Sequence, residues 1–219
     1  MTFSRIAGQD AGQEGQGAIA ERAGADAVEL LLRRLGDESS RPELATAPLI
    51  IWGHSAGGQL GSRIASVLSQ RTIAFIHYHT NGGVREGQRA LYRIPALLFV
   101  GGKDAAADAG LAEGAWRAGR LAGAPWTFAT EPDADHGNPA HLRQANDLLI
   151  PWMTAVVRLR MSPDEASLRP VSERDGWAGQ HRTREVSPYA MLIEPRADVS
   201  WLPDEASARA WQTVTGRRK

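Results

Sequence analysis

The chain contains no cysteine, which excludes disulfides, thiolate metal sites and cysteine nucleophiles together. It carries no charge surplus either. Its 25 basic and 25 acidic residues give a formal net charge of +0, so no long-range attraction to nucleic acid or to an anionic membrane is expected. No apolar run reaches membrane-spanning length. Residues 1–17 are polar and glycine-rich and lack the apolar segment of a secretory leader, so a cytoplasmic protein is expected. No internal repeat is present. What remains is a chain of 219 residues, 42% hydrophobic, enough for one domain with an appendage.

Read in order, residues 1–17 predict a flexible arm. Ile19, Ala23, Ala27, Leu30, Leu31 and Leu35 then make one apolar helical face, with Gly36 as its stop. Apolar runs over 49–52, 71–79, 94–100 and 125–131 predict strands. Helical patterns over 59–70, 109–121 and 139–160 fall between or after them. Strands that are near-continuously apolar and alternate with helices predict a parallel sheet covered on both faces. The chemistry of such a fold sits at the C-terminal strand ends. The expected class is α/β, a three-layer α/β/α arrangement spanning 18–160. From residue 161 the periodicity dissolves, and 161–219 predict an irregular extension docked through Trp177, Trp201 and Trp211.

The segment Gly53-His54-Ser55-Ala56-Gly57 lies between the first strand and its helix and has the form G-x-S-x-G. A strand turning sharply into a helix presents such a serine at the strand end. The glycines are expected to stand where a Cβ would clash, and the N–H of Ala56 is expected to face a developing oxyanion. The bland reading is a glycine-rich turn around a buried, inert serine. A serine hydroxyl needs a general base and an orienting acid. Asp104 follows the 94–100 strand and His136 follows the 125–131 strand, at separations of roughly 50 and 30 residues. That order, Ser55, Asp104, His136, makes the candidate triad. Asp104 could instead cap a helix, and Asp108 is a rival acid. Asp133 and Asp135 lie too close to His136 in sequence. His141 is expected on the last predicted helix, His181 in the extension, and His54 in a structural role. His77 and His79, two apart on a strand, could pair on zinc, but no third ligand is evident. Packing or pocket lining is expected of them, and no metal or cofactor.

Gly53-His54-Ser55-Ala56-Gly57-Gly58, Val100-Gly101-Gly102-Lys103-Asp104 and Asp135-His136-Gly137 together resemble the α/β-hydrolase superfamily over 18–160. Within it the chain is most similar to lidless esterases of the dienelactone hydrolase and polyhydroxybutyrate depolymerase type. The resemblance implies Ser55 as nucleophile, Asp104 as acid, His136 as base, and hydrolysis of a small-molecule carboxylic ester through an acyl-enzyme. About a dozen residues separate Gly83 from Pro95, too few for a substantial cap, so an open site is expected. The departure is at the front. Only about fifty residues precede Ser55, without a convincing strand or a His-Gly-Gly-Gly motif. A hydrolase fold lacking its N-terminal strands is therefore expected, with an edge that a second copy or another partner would cover. A shortened, fragmentary or decayed enzyme, catalytically defective and with a binding role or none, is the alternative.

Overall fold

The computed structural model describes residues 4–81, 88–137, 139–162, 167–192 and 196–216, with side chains described for all of these except 4–21, 139–142 and 196. The chain divides into two compact units, 1–47 and 48–219.

The first unit is a helix, α1 (Ser4–Ser39), followed by a 3-10 turn, Pro42–Ala45. The arm expected over 1–17 is thus helical from Ser4. No proline precedes Pro42, and glycine weakens a helix by about 1 kcal/mol per residue without breaking it. Gly36 is not the stop. Ser40 takes a left-handed φ of 56°, and the N–H of Arg41 closes on the Gly36 carbonyl at 2.8 Å, a Schellman ending. Leu30, Leu31 and Leu35 remain exposed; Ile19 falls outside the described side chains.

The second unit is built on four strands, β1 (Leu49–His54), β2 (Thr72–Tyr78), β3 (Ala96–Gly101) and β4 (Trp126–Glu131), ordered β1-β2-β3-β4 and all parallel. Helices α2 (Ala56–Val67), α3 (Ala109–Leu121) and α4 (Pro139–Arg160) follow β1, β3 and β4. Alternation along the strands sorts the core by face. Phe75, Leu98, Val100, Trp126 and Phe128 pack with Ala65 of α2 and Ala112 and Trp116 of α3. Ala74, Ile76, Tyr78, Leu97, Phe99 and Ala129 pack with Leu148, Trp152 and Val156 of α4. The sheet is therefore covered on both sides, the three-layer arrangement expected.

The described residues among 161–219 correct the sequence reading. They are not irregular: β5 (Trp177–Gln180) pairs antiparallel with β6 (Val186–Pro188) and β7 (Val199–Leu202), and α5 (Glu205–Gly216) follows. Trp201 and Trp211 are fully buried in the same cluster as Trp152. The unit that holds the sheet runs over 48–219 and so includes this extension, while 18–47 fall in the first unit. Their side chains also finish the β4 edge. Ser200 Oγ accepts from Phe128 N–H at 2.8 Å and donates to Phe128 C=O, and Trp211 Nε1 donates to that carbonyl at 2.7 Å. The outward backbone groups of Phe128 are thereby satisfied without another strand.

His181 joins this seam. It lies among Trp116, Phe128 and Trp211, and Nε2 is 2.9 Å from Ser200 Oγ. Burial, with Arg184 and Arg117 adding to it, pushes its pKa down from 6.5 to about 3. The folded state then declines a proton that the unfolded chain accepts. Stability is intact above pH 6.5 and is lost as pH falls toward 3, at up to about 1.4 kcal/mol per pH unit. Thermal melts across that range should show this loss, and His181→Gln should flatten it.

Candidate active site

Three loops at the C-terminal ends of the parallel strands meet. β1 ends at His54 and α2 begins at Ala56, leaving Ser55 alone at the corner with φ 54° and ψ −129°. That is a region L-residues rarely occupy, and such strain gathers at functional sites. Gly53 makes the corner possible: a Cβ there would lie closer than 3.0 Å to the Gly57 carbonyl and the Gly58 nitrogen. Gly57 corrects the sequence reading. A Cβ on it meets nothing within 4 Å, whereas one on Gly58 would strike the Thr80 hydroxyl. The close approach runs from the incoming strand to the backbone of the helix's first turn, and the side-chain direction of Gly57 points away from it. Thr80 also holds the corner, donating to the Ser55 carbonyl at 3.0 Å.

Asp104 follows β3 through Gly101-Gly102-Lys103, and His136 follows β4 through a turn at Pro132. These loops are laced together: Gly102 N–H donates to Glu131 C=O at 2.7 Å and Lys103 N–H to Ala134 C=O at 2.9 Å. Lys103 Nζ pairs with Asp133 at 2.8 Å.

The structure brings the three expected residues together. His136 Nε2 is 3.0 Å from Ser55 Oγ, and His136 Nδ1 is 3.0 and 2.9 Å from the two Asp104 oxygens. This network assigns the tautomer: Nδ1–H donates to Asp104, and Nε2 accepts from the serine hydroxyl. The Asp104 side chain is almost fully buried, while His136 stays 29% exposed. Asp104 Oδ1 also accepts the N–H groups of Ala106 and Ala107 at 2.9 Å each. Burial pushes the Asp104 carboxyl up, but His136 and these two N–H groups outweigh it and hold it below the ordinary aspartate range. Its stabilising share is therefore present above that range and lost in acid below it.

The rival residues are placed elsewhere. Asp108 caps α3, accepting from Leu111 N–H at 3.1 Å. Asp135 accepts from Gly137 N–H within its own loop. His77 packs edge-on against Phe75 with centroids 5.3 Å apart. His141 lies outside the described side chains. Ala56 opens α2, so its N–H is one of the donors that a helix leaves free at its N-terminus, as an oxyanion donor must be.

Sequence reasoning missed two connections. His54 Nε2–H donates to the His136 carbonyl at 2.7 Å, tying the elbow to the histidine loop. His79, at φ 51° past the end of β2, brings Nδ1 to 3.1 Å from Asp104 and Nε2 to 3.6 Å from Glu131. The only signal for either was its position at a C-terminal strand end. His54, His79 and His136 offer ring nitrogens within 4.8 Å of one another, a spacing a metal could use. The His136 nitrogens already contact Asp104 and Ser55, and His54 Nε2 a carbonyl.

A hollow of about 540 Å³ beside His136 is lined by Lys103, Ala105, Ala106, Asp135 and Gly137. A larger cavity, about 860 Å³, lies at the opposite strand ends near Tyr92, Ile94 and Pro125, away from this chemistry. Among the described residues, no helix is long and apolar enough to cross a membrane. Comparison with family models, curated proteins and solved structures gives no match to this chain.

Proposed function

We propose that this chain is a serine hydrolase that cleaves a small-molecule carboxylic ester through an acyl-enzyme, on a scaffold of the α/β-hydrolase kind. The observation that carries the reading is Ser55 at a strained corner with its hydroxyl 3.0 Å from a histidine that Asp104 orients. In this mechanism His136 Nε2 takes the serine proton as Oγ attacks the ester carbonyl. The oxyanion forms beside the Ala56 N–H, and the alcohol leaves with the proton from His136. Water then repeats the sequence on the acyl-enzyme, with His136 again as base and acid.

The open hollow beside His136 accommodates a small acyl group without a cap. A binding role without turnover is the second reading, because Ala56 is the one oxyanion donor assigned, and loss of one donor costs about a hundredfold to a thousandfold in rate. A fluorophosphonate probe should leave its adduct on Ser55, and p-nitrophenyl acetate and butyrate should be hydrolysed by the native chain but not by Ser55→Ala. Folded protein without an adduct would sink the hydrolase reading. Equal ester turnover by the two chains would favour the second.

A further inference from the structure

Asp104 is approached by two histidines, and the mechanism uses one. Its Oδ2 lies 2.9 Å from His136 Nδ1 and 3.1 Å from His79 Nδ1. The His79 side chain is 1% exposed. Its ring stacks on Tyr78 at 4.2 Å and 24°, which fixes the plane in which its nitrogens point. Beyond it, Nε2 faces Glu131 Oε2 at 3.6 Å, and that oxygen also accepts from the Tyr78 hydroxyl at 3.2 Å. Burial and then Glu131 push the Tyr78 hydroxyl well above the ordinary phenol range, so it stays a donor. His54 and His136 complete the surroundings, with ring centroids 6.1 and 6.3 Å from that of His79.

Both ring nitrogens of His79, and Glu131 Oε1, are buried without a hydrogen bond of good geometry. Nδ1 is within hydrogen-bonding distance of Asp104 Oδ2, but the contact falls short of hydrogen-bond geometry. Buried polar groups left incomplete call for an explanation. The left-handed φ of His79 adds a conformational cost that packing alone does not require.

We propose that His79 is a positioning residue for Asp104: it donates from Nδ1 to Oδ2 and is braced from behind by Glu131 and Tyr78, so that the acid is held for His136. This rests on the hydrolase reading for its purpose, though not for its geometry.

Two amides separate the ends of the ring. His79→Asn places an N–H near the position of Nδ1, and asparagine tolerates a left-handed φ. His79→Gln places its amide near Nε2 and leaves Oδ2 without that donor. The acid titration of the Asp104 carboxyl, followed by carbon-13 NMR and assigned with Asp104→Asn, should move up by about one pH unit in His79→Gln. It should stay in place in His79→Asn. The rate of fluorophosphonate labelling at Ser55 should fall roughly ten- to a hundredfold in His79→Gln and be retained in His79→Asn. Equal titrations in all three folded proteins, or equal shifts in both variants, would overturn the proposal. Labelled Ser55 with an unmoved Asp104 titration overturns this inference alone. A moved titration without any adduct overturns the hydrolase reading alone.

Discussion

Replacing Asp104 by asparagine is expected to leave the chain folded and to slow acylation of Ser55 by about four orders of magnitude. The folded state survives because Asn Oδ1 can still accept the Ala106 and Ala107 N–H groups that Asp104 Oδ1 now accepts. The chemistry does not survive, because the amide nitrogen puts a donor against His136 Nδ1–H in place of Oδ2, and the Oδ1 that remains is neutral and shared with two N–H groups. The imidazole then turns over its tautomer and carries its proton on Nε2. A protonated Nε2 cannot take the hydrogen of a serine 3.0 Å away. The imidazolium formed during attack also loses its countercharge. Single-turnover labelling against pH, beside a thermal melt, separates this loss from unfolding. A folded Asp104→Asn chain that labels Ser55 at the native rate would remove Asp104 from the triad.

Gly53→Ala should have the largest effect on stability, a loss above about 4 kcal/mol. The added methyl would sit within 3.0 Å of the Gly57 carbonyl carbon and oxygen and of the Gly58 nitrogen. All three are backbone atoms of the first turn of α2, so no rotamer change relieves the clash. Either β1 and α2 separate or the corner unwinds, and in both cases Ser55 leaves His136. Gly57→Ala is the matched control two residues from the serine on its other side. Its methyl enters open space, and at an exposed helical position alanine should hold stability within about 1 kcal/mol of native or raise it. Denaturant unfolding of both variants checks the contrast, and similar losses in the two would refute the account of the elbow.

The sequence made the sheet legible because its signals there are unambiguous. Long apolar runs punctuated by Gly and Pro mark β2, β3 and β4, and the helix read over 109–121 matches α3. The meeting of Ser55, Asp104 and His136 was legible for a related reason: Ser55 ends an apolar run, the other two follow one by a short loop, and such strand ends converge at one end of a parallel sheet. Where propensity and pattern disagreed, the reading failed. β5 contains Gly179 and β6 ends in Pro188, so neither carries strand periodicity, and they are strands because they pair with each other and with β7 and pack against α5, where Gly179 meets Trp211. The start of α1 is rich in glycine, and helix there cannot be told from loop by composition. His79 was invisible as a partner of Asp104, because strand alternation places it with His77, and only its left-handed φ turns it toward the acid.

On the hydrolase reading, the corner at Ser55 sets durability against reactivity. At φ 54° and ψ −129° a glycine would relieve on the order of 1 kcal/mol or more of backbone strain. A chain ranked on thermal endurance alone would drift to glycine at 55 and be sturdier for it. Screens for hardier variants of this protein will therefore collect silent ones at that position unless survival is coupled to turnover.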